Sequence, residues 1–176
     1  MYEIDDKDKI AELTDVPQSS VGAPIPFLMQ DEHTAVLTYY LEQRSRDWDG
    51  STVRVVGPVT ADEPIAIVRF SHCYATMFGP PNDESFNGHP LAARGLAPYR
   101  AFRVENSSWL RGLERRNSAH PRHDPNVFLA KEHFVWAFHD STFECICKGY
   151  EISLVHGSID TVTPAVKAQF AWAAEK

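Results

Sequence analysis

The stretch from His133 to Lys148, HFVWAFHDSTFECICK, constrains this chain more than any other. Large apolar residues or cysteines recur at every second position on both sides of Asp140-Ser141, opposite a mixed face, the pattern of two strands joined by a tight turn. With Asp140-Ser141 as a two-residue loop, His139 faces Thr142, Ala137 faces Glu144, Trp136 faces Cys145 and Phe134 faces Cys147. Side chains alternate across a strand, so one face collects Phe134, Trp136, Phe138, Phe143, Cys145 and Cys147. That face is apolar throughout and should meet the core. The other face collects His133, Val135, Ala137, His139, Thr142, Glu144, Ile146 and Lys148.

In this register His139 lies diagonal to Glu144, roughly 7–8 Å away at Cα and within side-chain reach. A carboxylate beside an imidazole orients the ring and favours its charged form, which is the base–orienter half of acid–base catalysis. His139 and Glu144 are therefore the expected catalytic pair, with Asp140 and Thr142 beside them as ligand contacts. The pairing depends on register, and a one-residue slip would exchange the faces of one strand.

The rest of the chain supplies the scaffold. Residues 1–32 read as an irregular segment with a short helical stretch at Lys7–Leu13, broken by QSSVGAPIP. Residues 34–78 read as a β-meander: TAVLTYYLE, an Asp49-Gly50 turn, then the long extended run IAIVRFSHCYATMF. Residues 79–126 hold loops and a helix, capped by Asn106 or Ser107, running to about Asn117 and facing the core with Leu110 and Leu113, or with Trp109 and Leu113. A short helical turn should end near Gly95. Extended runs fill 133–156, and Thr163-Pro164 should open a C-terminal helix over 163–174. This order implies one α+β domain over 1–176. It should contain a mostly antiparallel sheet of about five to six strands, with two or three helices packed on one face.

The long loop GPPNDESFNGHP, 79–90, brings three prolines and no apolar period. Structured loops on a sheet scaffold often carry function, so His89 is expected as a second catalytic contact and Asn82, Asp83 and Glu84 as ligand contacts. A metal set of His89, His139 and either Asp140 or Glu144 can be drawn, but nothing in the spacing demands it. No Cys-x-x-Cys pair, His-Glu-x-x-His helix, phosphate loop or dinucleotide fingerprint occurs, so the reading carries neither metal nor cofactor. No Gly-x-Ser-x-Gly elbow is present either.

Charge is unevenly spread. Residues 1–63 hold thirteen acids and five bases, whereas residues 94–122 hold seven arginines and two acids. Arginine is the better fork for carboxylate and phosphate, which makes Arg115 and Arg116 expected contacts for an anionic ligand. The same stretch could instead pair with the acidic N-terminal part or face water. The formal net charge of −7 argues against nucleic acid as a partner. No apolar run approaches the roughly 18 residues a membrane span needs, and the acidic start MYEIDDKDK is no secretory signal. Cys145 and Cys147 stand two apart on one strand side, about 6.5–7 Å at Cα, at the limit of a disulfide. Reduced thiols in a cytosolic protein are the simplest reading.

Two functions are expected from this pattern. One is a cytosolic pocket protein for a small polar or anionic ligand, with His139 as acid–base residue if it is an enzyme. The other is an interaction module that docks a protein partner or a second copy through its acidic N-terminal third and Arg-rich middle.

Overall fold

The alternating runs do form antiparallel strands, but they divide between two sheets. The computed structural model describes residues 2–43 and 55–170, so the Asp49-Gly50 turn lies outside the described residues. The first sheet is ordered β1 (Lys9–Glu12), β6 (Ala101–Glu105), β7 (Glu132–Ala137), β8 (Thr142–Cys147) and β5 (Ala75–Gly79). The second is ordered β2 (Phe27–Gln30), β3 (Thr34–Tyr40), β4 (Glu63–Ser71) and β9 (Gly149–Gly157). All pairings are antiparallel. With the helices α1 (Ser108–Asn117), α2 (Pro125–Leu129) and α3 (Ile159–Ala168), the protein is α+β and mostly sheet.

The split has a local cause. The run 65–78 reads as one strand, but it breaks after Ser71, where His72 takes a left-handed backbone (φ 51°). Cys73 N then donates to His33 O at 2.7 Å and Tyr74 N to Ile146 O at 2.7 Å, which hands the chain from the second sheet to the first. The return crossing lies beside it, where Lys148 N donates to Ser71 O at 2.9 Å before β9 pairs with β4. Among the described residues, the meander expected over 34–78 is the β3–β4 pair plus a departing β5.

The sheets pack face to face on the side chains that alternation points inward. Ala35, Leu37 and Tyr39 of β3 and Ala66, Val68 and Phe70 of β4 meet Phe134, Trp136, Phe138, Phe143, Cys145 and Cys147. The core face of the 133–148 hairpin is thus as expected. Phe70 meets Trp136 edge-on with ring centroids 4.9 Å apart, and lies 5.2 Å from Phe143. Truncating a fully buried aromatic such as Phe143 to Ala should cost about 3–5 kcal/mol.

Each outer face is covered separately. Loop 86–97 and the N-terminal Tyr2 and Ile4 lie against Val135 and Ala137, while Leu110 of α1 and Phe128 of α2 cover Ile146. On the second sheet, Ile159, Val162 and Val166 of α3 cover Val36, Tyr40, Ile65 and Ile67. Helices therefore flank both sheets rather than one face of a single sheet. Two further expectations are corrected. Residues 9–12 form an edge strand, not a helix, because β6 offers them a ladder. The last helix begins at Ile159, five residues before the expected start at Pro164. Ser158 and Thr161 form a reciprocal capping box, Thr163 Oγ1 donates to Ile159 O at 2.8 Å, and Pro164 lies inside the helix. Gly157 is required before this cap, since a Cβ there would lie 2.8 Å from Thr161 Oγ1. Elsewhere Ser107 caps α1 and Gly95 ends a short turn in a left-handed conformation, both as expected.

Candidate functional site

The β7–β8 turn decides which polar groups meet. Ala137 pairs with Thr142, Trp136 with Phe143, Val135 with Glu144 and His133 with Ile146. The loop therefore holds four residues, 138–141, closed by Phe138 N donating to Ser141 O at 2.8 Å. Relative to the two-residue loop this is a shift of two positions. A shift of two keeps every side chain on its face and changes every diagonal neighbour. Glu144 now lies diagonal to His133, and the expected His139–Glu144 pair does not form.

Glu144 instead accepts three hydrogen bonds in a closed interior. His133 Nε2 stands 2.9 Å from Oε2, His89 Nε2 3.2 Å from Oε1, and the Tyr2 hydroxyl 2.7 Å from Oε2. The far ring nitrogens fix the tautomers. Leu91 N donates to His89 Nδ1 at 3.1 Å, so the His89 proton sits on Nε2 and points at Glu144. Ser107 Oγ stands 2.9 Å from His133 Nδ1 while accepting from Leu110 N, an arrangement in which His133 donates to Glu144 through Nε2. Burial pushes the Glu144 carboxyl up, but the His133 and His89 donors outweigh it and hold the group at about 2. Burial and the facing carboxylate raise the Tyr2 phenol, which keeps its proton as a donor. His89 and His133 side chains have no exposed surface and Glu144 has 4%. The carboxylate and both imidazoles are hydrogen-bonded and buried, so this cluster ties loop 79–97, the segment around Tyr2 and α1 to the first sheet.

His139 takes a different carboxylate, Asp83. Its Nδ1 stands 3.0 Å from Asp83 Oδ2 and 2.9 Å from the Tyr99 hydroxyl, which also donates to Asp83 Oδ2. Tyr99 stacks on the imidazole at an interplanar angle of 17°. An ionised Asp83 only accepts, so His139 carries a proton on Nδ1, and Nε2 is the nitrogen without a hydrogen-bonded carboxylate. The nearest acid to Nε2 is Asp140 Oδ1 at 3.9 Å, beyond hydrogen-bond reach. The His139 side chain is 41% exposed. The Tyr99 hydroxyl does most to hold the Asp83 carboxyl below its ordinary value. Burial opposes this and His139 adds to it. Burial and Asp83 in turn push the Tyr99 phenol up to about 12. Two ties fix the loop that carries Asp83: Asp83 N donates to His139 O at 2.9 Å, and Thr142 Oγ1 donates to Pro81 O at 3.0 Å.

Of the expected site residues, Asp83, His139 and the tie through Thr142 come together. His89 and Glu144 form the buried cluster, so the metal set of His89, His139 and a carboxylate is not assembled. Asn82 turns back on its own loop, accepting from Ser85 N at 3.1 Å, and Glu84 and Asp140 face solvent. Arg115 and Arg116 are exposed on the last turn of α1 and do not line the cleft at the end of the sandwich. Three of the other arginines pair with the acidic N-terminal part: Arg94 with Asp5 O, Arg111 with Asp5 and Arg100 with Glu12 at 2.6 Å.

Beside the His139 group opens a cleft of about 360 Å³ at one end of the sandwich. Its walls are residues 12–13, 16–19, 98–101 and 136–138 together with Tyr39. Tyr99 belongs to both features: it lines the cleft and holds His139. Tyr99 also takes a left-handed backbone, with φ 62°, a conformation that costs a bulky residue energy and concentrates at working sites. Among the described residues, the buried polar side-chain atoms without a hydrogen bond are Ser19 Oγ, Asp83 Oδ1 and Trp136 Nε1. Ser19 and Trp136 line the cleft.

Sequence reasoning missed Tyr2, His133, Ser107, Tyr99 and the cleft donors. His133 did carry a signal, since it stands on the same strand face as Glu144. Tyr2 and Tyr99 carried none, because each reaches its partner through tertiary contact. The three cysteines are free and buried, with Cys145 Sγ 3.8 Å from Cys147 Sγ. No described helix is long and apolar enough to cross a membrane. The chain matches no protein-family model, no curated protein and no solved structure.

Proposed function

We propose that this protein binds a small polar ligand in the cleft at the end of the sandwich, with His139 at its edge to exchange a proton with that ligand. The observation that carries this reading is the oriented dyad: Asp83 fixes His139 through Nδ1 and leaves Nε2 free, next to a cleft with which it shares Tyr99. A general base needs that combination of an orienting carboxylate, a free ring nitrogen and access. The strained Tyr99 backbone and the unpartnered donors along the cleft support the same reading. Among the described residues, the ion pairs of Arg100 with Glu12 and of Arg111 with Asp5, and the hydrogen bond from Arg94 to the Asp5 carbonyl, weigh against a docking module. They take up charges that such a surface would present.

The test is a fragment screen read by backbone amide shifts of the ¹⁵N-labelled protein. Hits should perturb residues 98–101 and 136–139 together. A screen whose hits cluster elsewhere, or that yields none, would remove the reading.

A further inference from the structure

The cleft is specific in what it offers a ligand. Trp136 is 2% exposed and Ser19 5% exposed; the Ser19 hydroxyl has no hydrogen-bond partner, and the indole N–H leans toward the Tyr39 hydroxyl without forming a hydrogen bond of good geometry. Tyr39, the third polar group on the inner wall, is already committed, donating to Pro17 O at 3.1 Å. Burial holds its phenol up while the nearby Trp136 N–H works in the opposite sense. Ser19 is held in place from both sides: Ser20 N donates to Tyr40 O at 2.9 Å and Glu42 N to Gln18 O at 3.0 Å. The inner wall thus presents two fixed, uncharged donors.

The charge balance narrows the class further. Arg100 is the one cation on the lining among the described residues. Its side chain is 55% exposed and already joined to Glu12 at 2.6 Å. A carboxylate drawn in to Trp136 would lose its hydration without facing an unpaired positive charge. A ligand with no acceptor would strip solvent from two donors and return nothing to them. Leu13, Val16, Pro98 and Phe138 supply apolar wall for the remainder of a molecule.

We propose that the cleft takes a neutral carbonyl compound with a compact apolar body, its oxygen accepting from Trp136 Nε1–H and from the Ser19 hydroxyl. This rests on the cleft reading above and adds the ligand's chemical class to it.

Three probes of matched body separate the outcomes: acetophenone, benzoate and ethylbenzene, each titrated into protein labelled with ¹⁵N at tryptophan and at the backbone. Acetophenone should saturate and move one indole N–H downfield, the resonance missing from Trp136→Phe. Ser19→Ala should weaken it about fivefold, the worth of one neutral hydrogen bond. Ser19→Ala keeps the test open should Trp136→Phe fail to fold. Ethylbenzene binding within twofold of acetophenone, with the indole unmoved, would overturn this proposal, while the cleft reading is decided separately by whether polar fragments perturb residues 98–101 and 136–139. Benzoate binding more tightly than acetophenone, and losing that advantage in Arg100→Gln, would overturn it in favour of a carboxylate site. No shift at residues 98–101 or 136–138 with any probe would overturn this proposal. A fragment screen equally silent at those residues would be needed to remove the cleft reading as well.

Discussion

His139 Nδ1 lies 3.0 Å from Asp83 Oδ2, across the gap between the β7–β8 turn and the loop that begins at Gly79. Because a carboxylate only accepts, an imidazole proton is held on Nδ1, and Nε2 of the part-exposed ring is the nitrogen left for a ligand. Imidazole ¹⁵N shifts should report the Nδ1–H tautomer for neutral His139. Asp83→Asn should mix the tautomers with little loss of fold. An Nε2–H tautomer in the unmodified protein would contradict the dyad.

The Glu144 cluster predicts acid sensitivity. The carboxyl ordinarily titrates at 4.5 and is held at about 2 in the folded protein, so its folded value is depressed. Its contribution is present above pH 4.5 and is lost as pH falls toward 2, because the unfolded chain then binds the proton first. A shift of this size corresponds to ~3 kcal/mol. Urea denaturation of Glu144→Gln should show a loss of that order near neutral pH, and a flatter stability profile between pH 4.5 and 2. A variant as stable as the parent would contradict this tie.

Tyr2 should matter despite its place beside the chain start. Its hydroxyl donates to Glu144 at 2.7 Å and its ring stacks on Trp109 with centroids 5.5 Å apart. Tyr2→Phe keeps the ring and removes the donor, which should cost about 1.5–3 kcal/mol, the range for a hydrogen bond to a charged group. Thermal unfolding checks this, and an unchanged midpoint would mean that the two histidines alone satisfy the carboxylate.

How much of this could be read from the chain depends on range. The hairpin faces were legible because alternation has a period of two, and Phe134, Trp136, Phe138, Phe143 and Cys145 do share one buried cluster. The partners were not legible, because a four-residue turn differs from a two-residue turn by a shift that leaves the faces unchanged. That shift gave Glu144 to His133 and released His139 to Asp83. The polar face proved buried because Val135, Ala137 and Ile146 share it and attract cover from loop 86–97 and α1. The strands at 9–12 and 27–30 are four residues each, too short for a period to show. Loop 79–90 stood out by composition, yet only tertiary packing sends His89 inward and Asp83 to His139 and Tyr99.

The thiols should behave as core groups. Cys145 and Cys147 are fully buried and Cys73 is 8% exposed. Burial, chiefly, raises the Cys145 thiol. Native labelling should be slow, with Cys73 first, and unfolding should release three equivalents. Fast labelling of Cys145 would contradict the packing of the two sheets.

The central claim is that the cleft and His139 act as one site, joined through Tyr99. The direct measurement is the His139 imidazole ¹⁵N spectrum during titration with the tightest fragment from the screen. The Nε2 resonance should move with the same midpoint as the backbone amides of residues 98–101 and 136–138. Saturation of those amides with the His139 resonances unmoved would contradict the account, leaving a cleft without its proposed acid–base group.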